Sequence, residues 1–569
     1  MAARCSMVLC PLLLFLAYSA NAANVPLAPS AVPAIPIHSD LSAGLSGVDE
    51  KLKDLESKLP HGKDGLPLKG AALMKEVDLK FLSKIGVTES DLDELKKLKG
   101  DHENKAKQEL EQAAASAREK HKEAIDKVNE TKEKLQVKPH PADAPLSIDQ
   151  VNNVAGLGEV LHDSDVFVSV QEARKTLGSS GIAKRQAYYD SQYPSTIWTD
   201  GVPYHFDDAL GQNARNVINQ AINFWKSTTC VQFNYVDPQT TTAFPVLIFY
   251  AGSGCYSSVG RQSNSQMQYV SIGNYCEYVA TAAHEIAHAL GLFHEQSRLD
   301  RDDHIWVDTS NIQAGHSGDY QKQNASTNYN YGMPYDYQGI MHHRQGVWAQ
   351  NASLPVMFTL DPNYQLSMGW SQLPVFGDVV EVNMHYSCYE KCTNFTTTCF
   401  YGGYPSVKNC SLCQCPSGFG GINCNNRQGP SGGANCGATL AANPDWQTLS
   451  INKTIGNGNY STGNLINPAK CTWHITAPRG SKIQYTVNFV GFDGDKNALC
   501  YEDCYYGGLG IKGSGTSWKP EGMRVCCPYQ YGVNFTTTAN LLVIQPWNLY
   551  RYTDFQVQYK IANAAVMTS

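Results

Sequence analysis

The chain contains 569 residues, of which 17% are charged, and its formal net charge is −7. This length predicts several domains, and the slightly acidic balance argues against a nucleic-acid partner or a basic membrane-binding patch. Beyond an N-terminal leader, no stretch has the roughly 18 uninterrupted apolar residues that a spanning helix needs, so we expect no membrane span.

The leader begins with a positive charge at Arg4, continues with an apolar run over residues 7–18 and ends in the small residues 20–22. This order is typical of a secretory signal peptide, which we place at residues 1–22, and it predicts a secreted, extracellular product. Two of the 18 cysteines lie in the leader, and the other 16 form an even, clustered set from Cys230 onward. Such a set indicates an oxidising compartment.

Residues 23–185 contain no cysteine and are predicted to form a helical propeptide. Over residues 88–98, leucines recur at helical spacing behind a threonine that suits a helix cap. Residues 101–136 are rich in Ala, Glu, Lys and Gln and nearly lack large apolar side chains. We therefore interpret them as a solvated helix or a disordered spacer, and not as a binding face.

The propeptide is predicted to end at a basic pair, Lys184 and Arg185. Cleavage after Arg185 by an activating protease would make Gln186 the new N-terminus. Ile182 stands where a furin-type site has arginine, so the identity of that protease stays open.

The region that follows has signals for both helix and strand. Apolar residues with a period of 3.6 predict a core helix over 217–225, just before Cys230. A short apolar run over 246–250 predicts a buried strand.

The stretch TAAHEIAHALGLFHE carries the clearest chemical signal in the chain. His284 and His288 are four residues apart on one face of a helix, so both can reach one ion. Gly291 can end that helix in a left-handed turn and return His294 to the same point. Three neutral imidazoles leave a coordination position open for water, which is the arrangement of a catalytic Zn²⁺. Glu285 is the candidate general base for that water, whose pKa zinc lowers to about 7.

The spacing H-E-x-x-H-x-x-G-x-x-H is the metzincin pattern, and Met341 in GIMHH is the candidate for the methionine turn that supports the metal. Glu295 follows the third histidine within HEQSRLDRDDHI, and here the chain resembles the astacin family. The resemblance runs over about 198–388. It implies an α+β zincin (metzincin) catalytic domain at 186–388 with one Zn²⁺, and an endopeptidase that attacks the scissile carbonyl of an extended peptide with zinc-bound water.

One position departs from the family pattern. Astacins carry a tyrosine two residues after the methionine, as a movable zinc ligand and oxyanion donor, whereas this chain has His343. An imidazole can also ligate zinc or donate a hydrogen bond. Two interpretations stay open: His343 is a fifth ligand or oxyanion donor, or it is an exposed loop histidine and catalysis is slower.

The resemblance also implies how a proenzyme would be kept latent. Family propeptides place an aspartate on the zinc, and here Asp165 matches that aspartate, with Asp163 as the nearby alternative and two solvated acids as the other interpretation. In the family, the new N-terminus is buried and pairs with the glutamate after the third histidine, here Glu295. Cyclisation of Gln186 would remove the ammonium that such a buried pair needs.

Residues 254–261 and 268–272 resemble the astacin edge strand, along which a substrate adds as a further strand. By the same resemblance, one disulfide joins Cys230 to Cys388 and a second joins Cys255 to Cys276.

Two further modules are predicted by resemblance: a small disulfide-rich EGF-like domain at 389–425 and an all-β CUB sandwich at 436–561. The implied disulfides are Cys392–Cys410, Cys399–Cys413, Cys415–Cys424 and Cys436–Cys471. The pairing among Cys500, Cys504, Cys526 and Cys527 stays open. Glu502 and Asp503 are interpreted as surface acids, so calcium in the CUB domain is not supported.

Eight N-x-S/T sequences suit N-glycosylation on an extracellular route. One lies in the propeptide and seven in the mature part: Asn129, then Asn324, Asn351, Asn394, Asn409, Asn452, Asn459 and Asn534.

Together these features predict a secreted zinc endopeptidase, made as a latent proenzyme, that cleaves extracellular proteins. The module order resembles nematode astacins, which suggests matrix, cuticle or egg-coat substrates by analogy. The alternative is an extracellular binding or adhesion protein, with EGF-like and CUB contacts to other proteins, whose protease domain is impaired by His343.

Overall fold

The computed structural model describes residues 41–134, 137–141, 143–177, 187, 193–323, 329–369, 371–460 and 467–562. The predicted leader, the cleavage site at Lys184 and Arg185 with Gln186, and the glycosylation site Asn324 lie outside these residues. Among the described helices, none combines the length and apolar character that crossing a bilayer requires.

The described part of the N-terminal region is mainly helical, with turns and short irregular stretches between the helices. Its helices are α1 Leu41–Ser57, α2 Gly70–Val77, α3 Leu79–Leu82, α4 Glu89–Lys120, α5 Lys122–Lys134, α6 Ile148–Val154 and α7 Val170–Leu177. The predicted cap of α4 is confirmed, because the backbone N–H of Asp91 donates to Thr88 Oγ1 and the N–H of Thr88 donates to the Asp91 carboxylate. This reciprocal capping box satisfies donors that a helix start otherwise leaves unpaired.

A five-stranded sheet follows. Its strands are β1 Val202–Phe206, β2 Phe233–Tyr235, β3 Val246–Tyr250, β4 Cys255–Ser257 and β5 Met267–Ile272, in the order β2-β1-β3-β5-β4. The first four positions in that order are parallel and β4 is an antiparallel edge strand. The predicted strand is confirmed as β3, and all its side chains are buried, as expected for an inner parallel strand.

Three helices and a strand pair complete this domain: α8 Gln212–Thr228, α9 Val279–Ala289, β6 Ile305–Val307, β7 Met357–Thr359 and α10 Phe376–His385. The predicted core helix is confirmed as α8. Its buried face, which includes Ile218, Ile222 and Trp225, shares one apolar core with the sheet and α9. Strands β6 and β7 pair antiparallel beyond α9.

Of the two interpretations of residues 101–136, the helical one is confirmed over the described residues 101–134, most of whose described side chains are exposed, but the prediction that they form no binding face is wrong. Leu110 of α4 packs in an apolar cluster with Ile305 of β6, and Ile125 of α5 packs with Trp306 and Phe358. A few widely spaced apolar side chains are therefore enough to bind this alanine-rich helix along the catalytic domain.

The C-terminal part is built of short strands. They are β8 Tyr404–Ser406, β9 Asn409–Gln414, β10 Phe419–Gly420, β11 Asn426–Arg427, β12 Thr439–Ala441, β13 Gln447–Ile451, β14 Gly456–Tyr460, β15 Ala469–Lys470, β16 Trp473–Thr476, β17 Ile483–Gly491, β18 Gly507–Lys512, β19 Met523–Val525, β20 Asn534–Thr536, β21 Leu541–Asn548, β22 Tyr550–Tyr552 and β23 Asp554–Ile561.

Two sheets dominate this part of the chain. One has the order β12-β16-β21-β18-β19, with β15 beside β21, and the other has the order β13-β23-β17-β20. Side chains from both, such as Ile475, Tyr485 and Val557, belong to one buried cluster. We call this unit, residues 436–562, the C-terminal β-sandwich.

Eight disulfides connect the described cysteines. They are Cys230–Cys388, Cys255–Cys276, Cys392–Cys410, Cys399–Cys413, Cys415–Cys424, Cys436–Cys471, Cys500–Cys527 and Cys504–Cys526. Six of these pairs are the ones that the resemblance implies, and the last two are the pairs that the sequence left open. Three bridges fall within residues 392–424, a segment too short to bury much core of its own.

Candidate metal centre

Helix α9 carries two of the three predicted ligands. Its alanines allow close packing on every side, and its residues from Thr281 to Ala289 are buried. His284 and His288 lie one turn apart on one face. The helix ends at a reversal in which Gly291 adopts φ +106°, and a Cβ there would lie 2.8 Å from Nε2 of His385. Only glycine fits both constraints, and the reversal returns His294 to the first two histidines.

The three imidazoles converge on one point. Nε2 of His284 lies 3.1 Å from Nε2 of His288 and 3.2 Å from Nε2 of His294. For a tetrahedral zinc with Zn–N bonds of about 2.0–2.1 Å, neighbouring ligand atoms are separated by about 3.3–3.4 Å. The observed spacing is close to that edge length, so the donor set fits a zinc ion.

The outer nitrogen of each ring is held by an oxygen. Nδ1 of His284 is 2.7 Å from the carbonyl oxygen of Ile340, and Nδ1 of His288 is 2.8 Å from that of Leu292. Nδ1 of His294 is 3.0 Å from a carboxylate oxygen of Asp163. In His284 and His288, donation from Nδ1–H leaves the Nε2 lone pair free to bind a metal and orients the ring, while the Asp163 carboxylate orients His294 by charge.

Asp165 lies at the fourth side of the site. Its carboxylate oxygens are 3.3 Å from Nε2 of His284, 3.3 Å from Nε2 of His288 and 3.2 Å from Nε2 of His294. Burial opposes ionisation of the group, yet contact with the three imidazoles, above all that of His294, holds the pKa of Asp165 well below its usual range. The four side chains form a buried group suited to a metal ion.

A tight reversal presents this carboxylate. Asp163 and Ser164 both adopt left-handed backbone conformations, with φ +49° and +70°, which are uncommon for residues other than glycine. Two backbone hydrogen bonds between His162 and Val166, each 2.8 Å long, close the turn. Asp163 also accepts a hydrogen bond of 2.9 Å from Ser297 Oγ. Both predicted acids are therefore buried, and the interpretation of two solvated acids is wrong.

The same segment pairs with edge strand β4. Ser257 donates its backbone N–H to the carbonyl of Asp165 at 3.1 Å, and Phe167 donates to the carbonyl of Ser257 at 2.9 Å, in a parallel bridge. Asn152 donates to the carbonyls of Ser164 and Cys255 at 3.0 and 2.7 Å. Residues 162–167, which we call the switch segment, thus occupy the edge strand β4, within residues 254–261 that the sequence assigned to substrate. The assignment of residues 268–272 to that edge is wrong, because they form β5, which lies between β3 and β4.

Glu285 is the buried acid next to the first ligand. It has no exposed surface, and neither carboxylate oxygen has a hydrogen-bond partner among the described residues. Burial and the Asp165 carboxylate raise the pKa of Glu285 well above its usual range. An unpaired buried carboxylate is costly unless another group enters the site, and a water on the metal is such a group.

Met341 is fully buried in the apolar core that includes α9, and its backbone carbonyl accepts a hydrogen bond of 2.9 Å from the N–H of Glu295.

His343 is also buried, so the interpretation of an exposed loop histidine is wrong. Its ring centre lies 4.1 Å from that of His294, and its Nε2 lies 3.2 Å from Ser164 Oγ. Burial and the charge of His294 lower the pKa of His343 to about 3, so the ring is neutral.

Glu295, the predicted partner of a new N-terminus, has other partners in this structure. Arg298 donates to its carboxylate at 3.0 Å, and the backbone N–H of Asp336 donates at 2.8 Å. Burial raises the pKa of Glu295 to about 7 against the opposing charge of Arg298.

Two buried ion pairs near the site were missed by sequence reasoning. Lys99 of α4 pairs with Asp319 at 2.9 Å, and Arg344 pairs with Asp503 of the C-terminal β-sandwich at 3.0 Å. Asp503 is 1% exposed, so its interpretation as a surface acid is wrong. The partners are 220 and 159 residues apart, and the only local signal was a basic residue directly after His343.

Comparisons with known proteins agree with this geometry. The family model of Astacin, a peptidase family, matches residues 190–387. Zinc metalloproteinase nas-31 of Caenorhabditis elegans is 35% identical over 432 residues, which cover 74% of this chain and 67% of the relative. Zinc metalloproteinase nas-29 of the same organism is 31% identical over 440 residues, covering 74% and 78%.

Among solved structures, high choriolytic enzyme 1, a hatching enzyme zinc-protease from Oryzias latipes, is 25% identical and covers 35% of this chain and 98% of its own, with a TM-score of 0.32. The family assignment rests on the family model and on the two nematode relatives.

Proposed function

The chain belongs to the astacin family of zinc metalloproteinases, and from that premise we propose that it is a secreted endopeptidase kept latent by its own N-terminal region. The observation that carries the proposal is the convergence of three imidazole Nε2 atoms, all in contact with the Asp165 carboxylate and next to the unpaired Glu285. A binding scaffold has no need of a buried acid at this place.

In this proposal His284, His288 and His294 hold the zinc ion. When bound, zinc acts as a Lewis acid that polarises the substrate carbonyl and lowers the pKa of water. Glu285 accepts the proton of the attacking water and delivers it to the nitrogen of the leaving amine. Its position directly after the ligand His284, with both carboxylate oxygens unpaired among the described residues, suits this exchange.

Substrate binding is assigned to edge strand β4. Once the switch segment leaves, the N–H and C=O of Ser257 are unpaired on that side and can bind the backbone of an extended peptide. Buried carbonyl and N–H groups need such partners, so strand addition supplies affinity while side-chain pockets supply preference. The substrates are extracellular proteins, with the matrix, cuticle and egg-coat classes suggested by family analogy.

His343 is assigned the role of the missing tyrosine, as fifth zinc ligand or oxyanion donor. Its neutral ring adjoins His294, and in this structure Ser164 of the switch segment occupies its Nε2. Removal of that segment frees the nitrogen for the site. We expect His343→Ala to lower kcat more than it raises KM, since a transition-state contact is lost. An unchanged kcat/KM in that variant would exclude the role.

Latency is assigned to residues 23–185, with Asp165 as the group that blocks the metal and Asp163 as a second contact through His294. Cleavage after Arg185 would then let residues 23–185 dissociate from the site and let the new N-terminus at Gln186 compete for Glu295. The signal peptide at 1–22 would direct secretion. Exposure of every described N-x-S/T asparagine in the mature part is consistent with glycosylation on that route.

The two C-terminal modules are assigned as an EGF-like domain at 389–425 and a CUB domain at 436–561. Three disulfides within residues 392–424 support the first, and two sheets around one core support the second. Both kinds of module can contact other extracellular proteins.

The test compares hydrolysis of a denatured protein by the chain cleaved after Arg185 with that by its Glu285→Ala variant. We expect activity in the first, loss of it in the second, and loss on removal of zinc by a chelator. Glu390→Ala, which changes an exposed glutamate away from the site, is the control and should stay active. A zinc-loaded, correctly cleaved chain without activity would favour the alternative, an adhesion protein with an impaired protease domain.

A further inference from the structure

The loop that carries Met341 and His343 is held from the C-terminal β-sandwich. We define the Met341 loop as residues 336–345. At its far end Arg344 Nε donates to Asp503 Oδ2 at 3.0 Å, and Gln345 Nε2 donates to Glu502 Oε1 at 3.0 Å. The loop therefore meets acids from a different module directly after His343.

The near end of the loop has contacts with the same module. Arg524 Nε donates to Gln338 Oε1 at 2.9 Å, and the N–H of Glu521 donates to the Asp336 carboxylate at 3.1 Å. Arg524 also donates from Nη1 to the carbonyl of Asp503 at 2.9 Å, which joins the two groups of contacts. The β-sandwich thus brackets the loop on both sides of the methionine.

The central pair is buried and charged. Arg344 is 8% exposed and Asp503 is 1% exposed. A buried guanidinium is tolerated only if its charge is balanced, and loss of one partner leaves the other uncompensated. Residues 344 and 503 both lie outside the propeptide, so its removal takes away neither partner. In this structure His140 of the propeptide also lies 3.7 Å from the Asp503 carboxylate, and Lys138 pairs with the backbone of Cys500 and Glu502.

Asp503 is held in an unusual backbone conformation. It and Cys504 both adopt left-handed angles, with φ +58° and +52°. Non-glycine residues in this region are uncommon and persist where the surrounding structure fixes them. Here the bridges Cys500–Cys527 and Cys504–Cys526 flank the turn on each side. The two disulfides and the left-handed turn thus fix the Asp503 carboxylate in the position where it meets Arg344 of the catalytic domain.

The Met341 loop in turn orients the metal site. The carbonyl of Ile340 accepts from Nδ1 of His284, and the carbonyl of Met341 accepts from the N–H of Glu295, next to His294. A shift of the loop therefore moves the ring of a zinc ligand, and it moves His343 with it.

We propose that the C-terminal β-sandwich is a working part of the active site, with Asp503 as a positioning residue that acts through Arg344 on the Met341 loop. The inference rests on the catalytic function proposed above. Asp503 touches neither substrate nor metal, and it fixes where His284 and His343 stand. The module is thereby coupled to the rate of peptide hydrolysis, besides any contact it makes with other proteins.

The test uses the full chain cleaved after Arg185 and a short peptide substrate that fills only the cleft. Asp503→Asn keeps the shape of the side chain and removes its charge. We expect kcat to fall between about 10- and 100-fold, the range for a small displacement of a catalytic group, with KM changed less than about 2-fold. Asp503→Glu should recover part of the loss. The matched control is Asp493→Asn, which breaks exposed ion pairs to Lys453 and Arg551 on the same module, and it should match the wild type.

Two further arms separate positioning from general damage. In an Arg344→Met background, Asp503→Asn should have little additional effect, because coupled residues are not additive. With Co²⁺ in place of zinc, the visible spectrum of the metal site should change in Asp503→Asn and not in Asp493→Asn. If Asp503→Asn does not fold, Arg344→Lys, which keeps the charge and loses the planar fork, takes its place in both measurements.

A folded Asp503→Asn chain with wild-type kcat and an unchanged cobalt spectrum would overturn the inference, as would an equal loss in the Arg344→Met background. An inactive wild-type chain would instead contradict the proposed protease, and the cobalt spectra would still decide whether Asp503 positions the metal site.

Discussion

The switch segment and helix α4 both cover the catalytic domain, but only the switch segment reaches the metal site. The switch segment spans residues 162–167 and meets the metal site through polar groups: one carboxylate at three imidazoles and a second at His294. Backbone pairs with β4 and the buried side chains of Val166 and Phe167 hold it on the domain. Helix α4 has 32 residues and lies on the domain through scattered apolar side chains and a buried ion pair. In the proposed proenzyme, the switch segment blocks the metal site itself. Helix α4 instead provides binding free energy through contacts that are spread along its length.

This difference indicates that blocking the metal site and keeping the propeptide bound to the catalytic domain are tasks of different parts of the propeptide. A carboxylate at a metal site need not bind strongly by itself if a distant helix keeps it at a high local concentration. Changes in the switch segment should therefore alter activity before cleavage, and changes in α4 should alter stability.

The largest effect is expected from Asp165→Ala in a chain made uncleavable by Arg185→Gly. Loss of the carboxylate that faces all three Nε2 atoms removes a charged contact worth about 3 kcal/mol, and it should raise the population with an open site, and with it the peptidase activity, by about 100-fold. A fluorogenic peptide assay measures this. Asp163→Ala leaves the three Nε2 contacts in place and should give a smaller rise. A silent Asp165→Ala chain would remove the switch role from this residue.

Lys99→Met should lower the stability of the proenzyme by weakening the contact of α4 with the catalytic domain, without opening the metal site. It leaves Asp319 buried without its main partner, which costs about 3–5 kcal/mol, whereas uncleaved activity should stay low because Asp165 still fills the site. Urea unfolding of the proenzyme measures the loss in the free energy of unfolding. Lys105→Met, which breaks an exposed pair with Glu109 on the same helix, is the control and should cost less than about 1 kcal/mol. Equal effects of the two changes would contradict the buried pair.

Leu110→Ala tests the apolar part of the same contact. Leu110 is 4% exposed and packs against the β6 region, so its truncation should cost about 2–4 kcal/mol in the same urea measurement. Glu111→Ala, at the next and exposed position, should change stability by less than about 0.5 kcal/mol. A loss below about 1 kcal/mol for Leu110→Ala would mean that α4 does not bind through this side chain.

The smallest effect is a pH dependence of the Lys99–Asp319 pair. Burial opposes ionisation of Asp319, yet Lys99 and His316 lower its pKa below the ordinary value. A carboxyl with a depressed folded-state pKa stabilises the fold above its unfolded pKa of about 3.9, and that contribution is lost as the pH falls through the folded value. Below about pH 4 the wild type should therefore lose up to about 1.4 kcal/mol more per pH unit than Asp319→Asn. Parallel stability curves for the two chains would contradict this.

Sequence reasoning reached the parts of the molecule that local pattern determines. The period of 3.6 over 217–225, the apolar run of β3 and the cap at Thr88 each act within a few residues, and each is where the pattern placed it. The three histidines also converge locally, because a helix and one glycine bring them together within eleven residues.

The rest depends on contacts between distant parts of the chain. Residues 101–136 have too few apolar side chains to reveal that Leu110 meets β6, since the period of a helix does not tell what covers it. The pairs Lys99–Asp319 and Arg344–Asp503 carry no local signal either, because a buried charge looks like an exposed one until its partner is known. For the same reason the sequence alone places Asp503 at the surface and leaves the burial of His343 open.

The contacts of α4 and the switch segment have one more consequence. Residues 23–185 contain no cysteine, so no disulfide can tie them to the rest of the chain, and a cut after Arg185 leaves both partners of every contact described above in place. Under the proposed latency, cutting would therefore turn a tethered inhibitor into a separate molecule without removing it. The site would then open only when the cleaved residues 23–185 dissociate. The rate of activation would depend on their off-rate and on the protein concentration, and not on the cut itself.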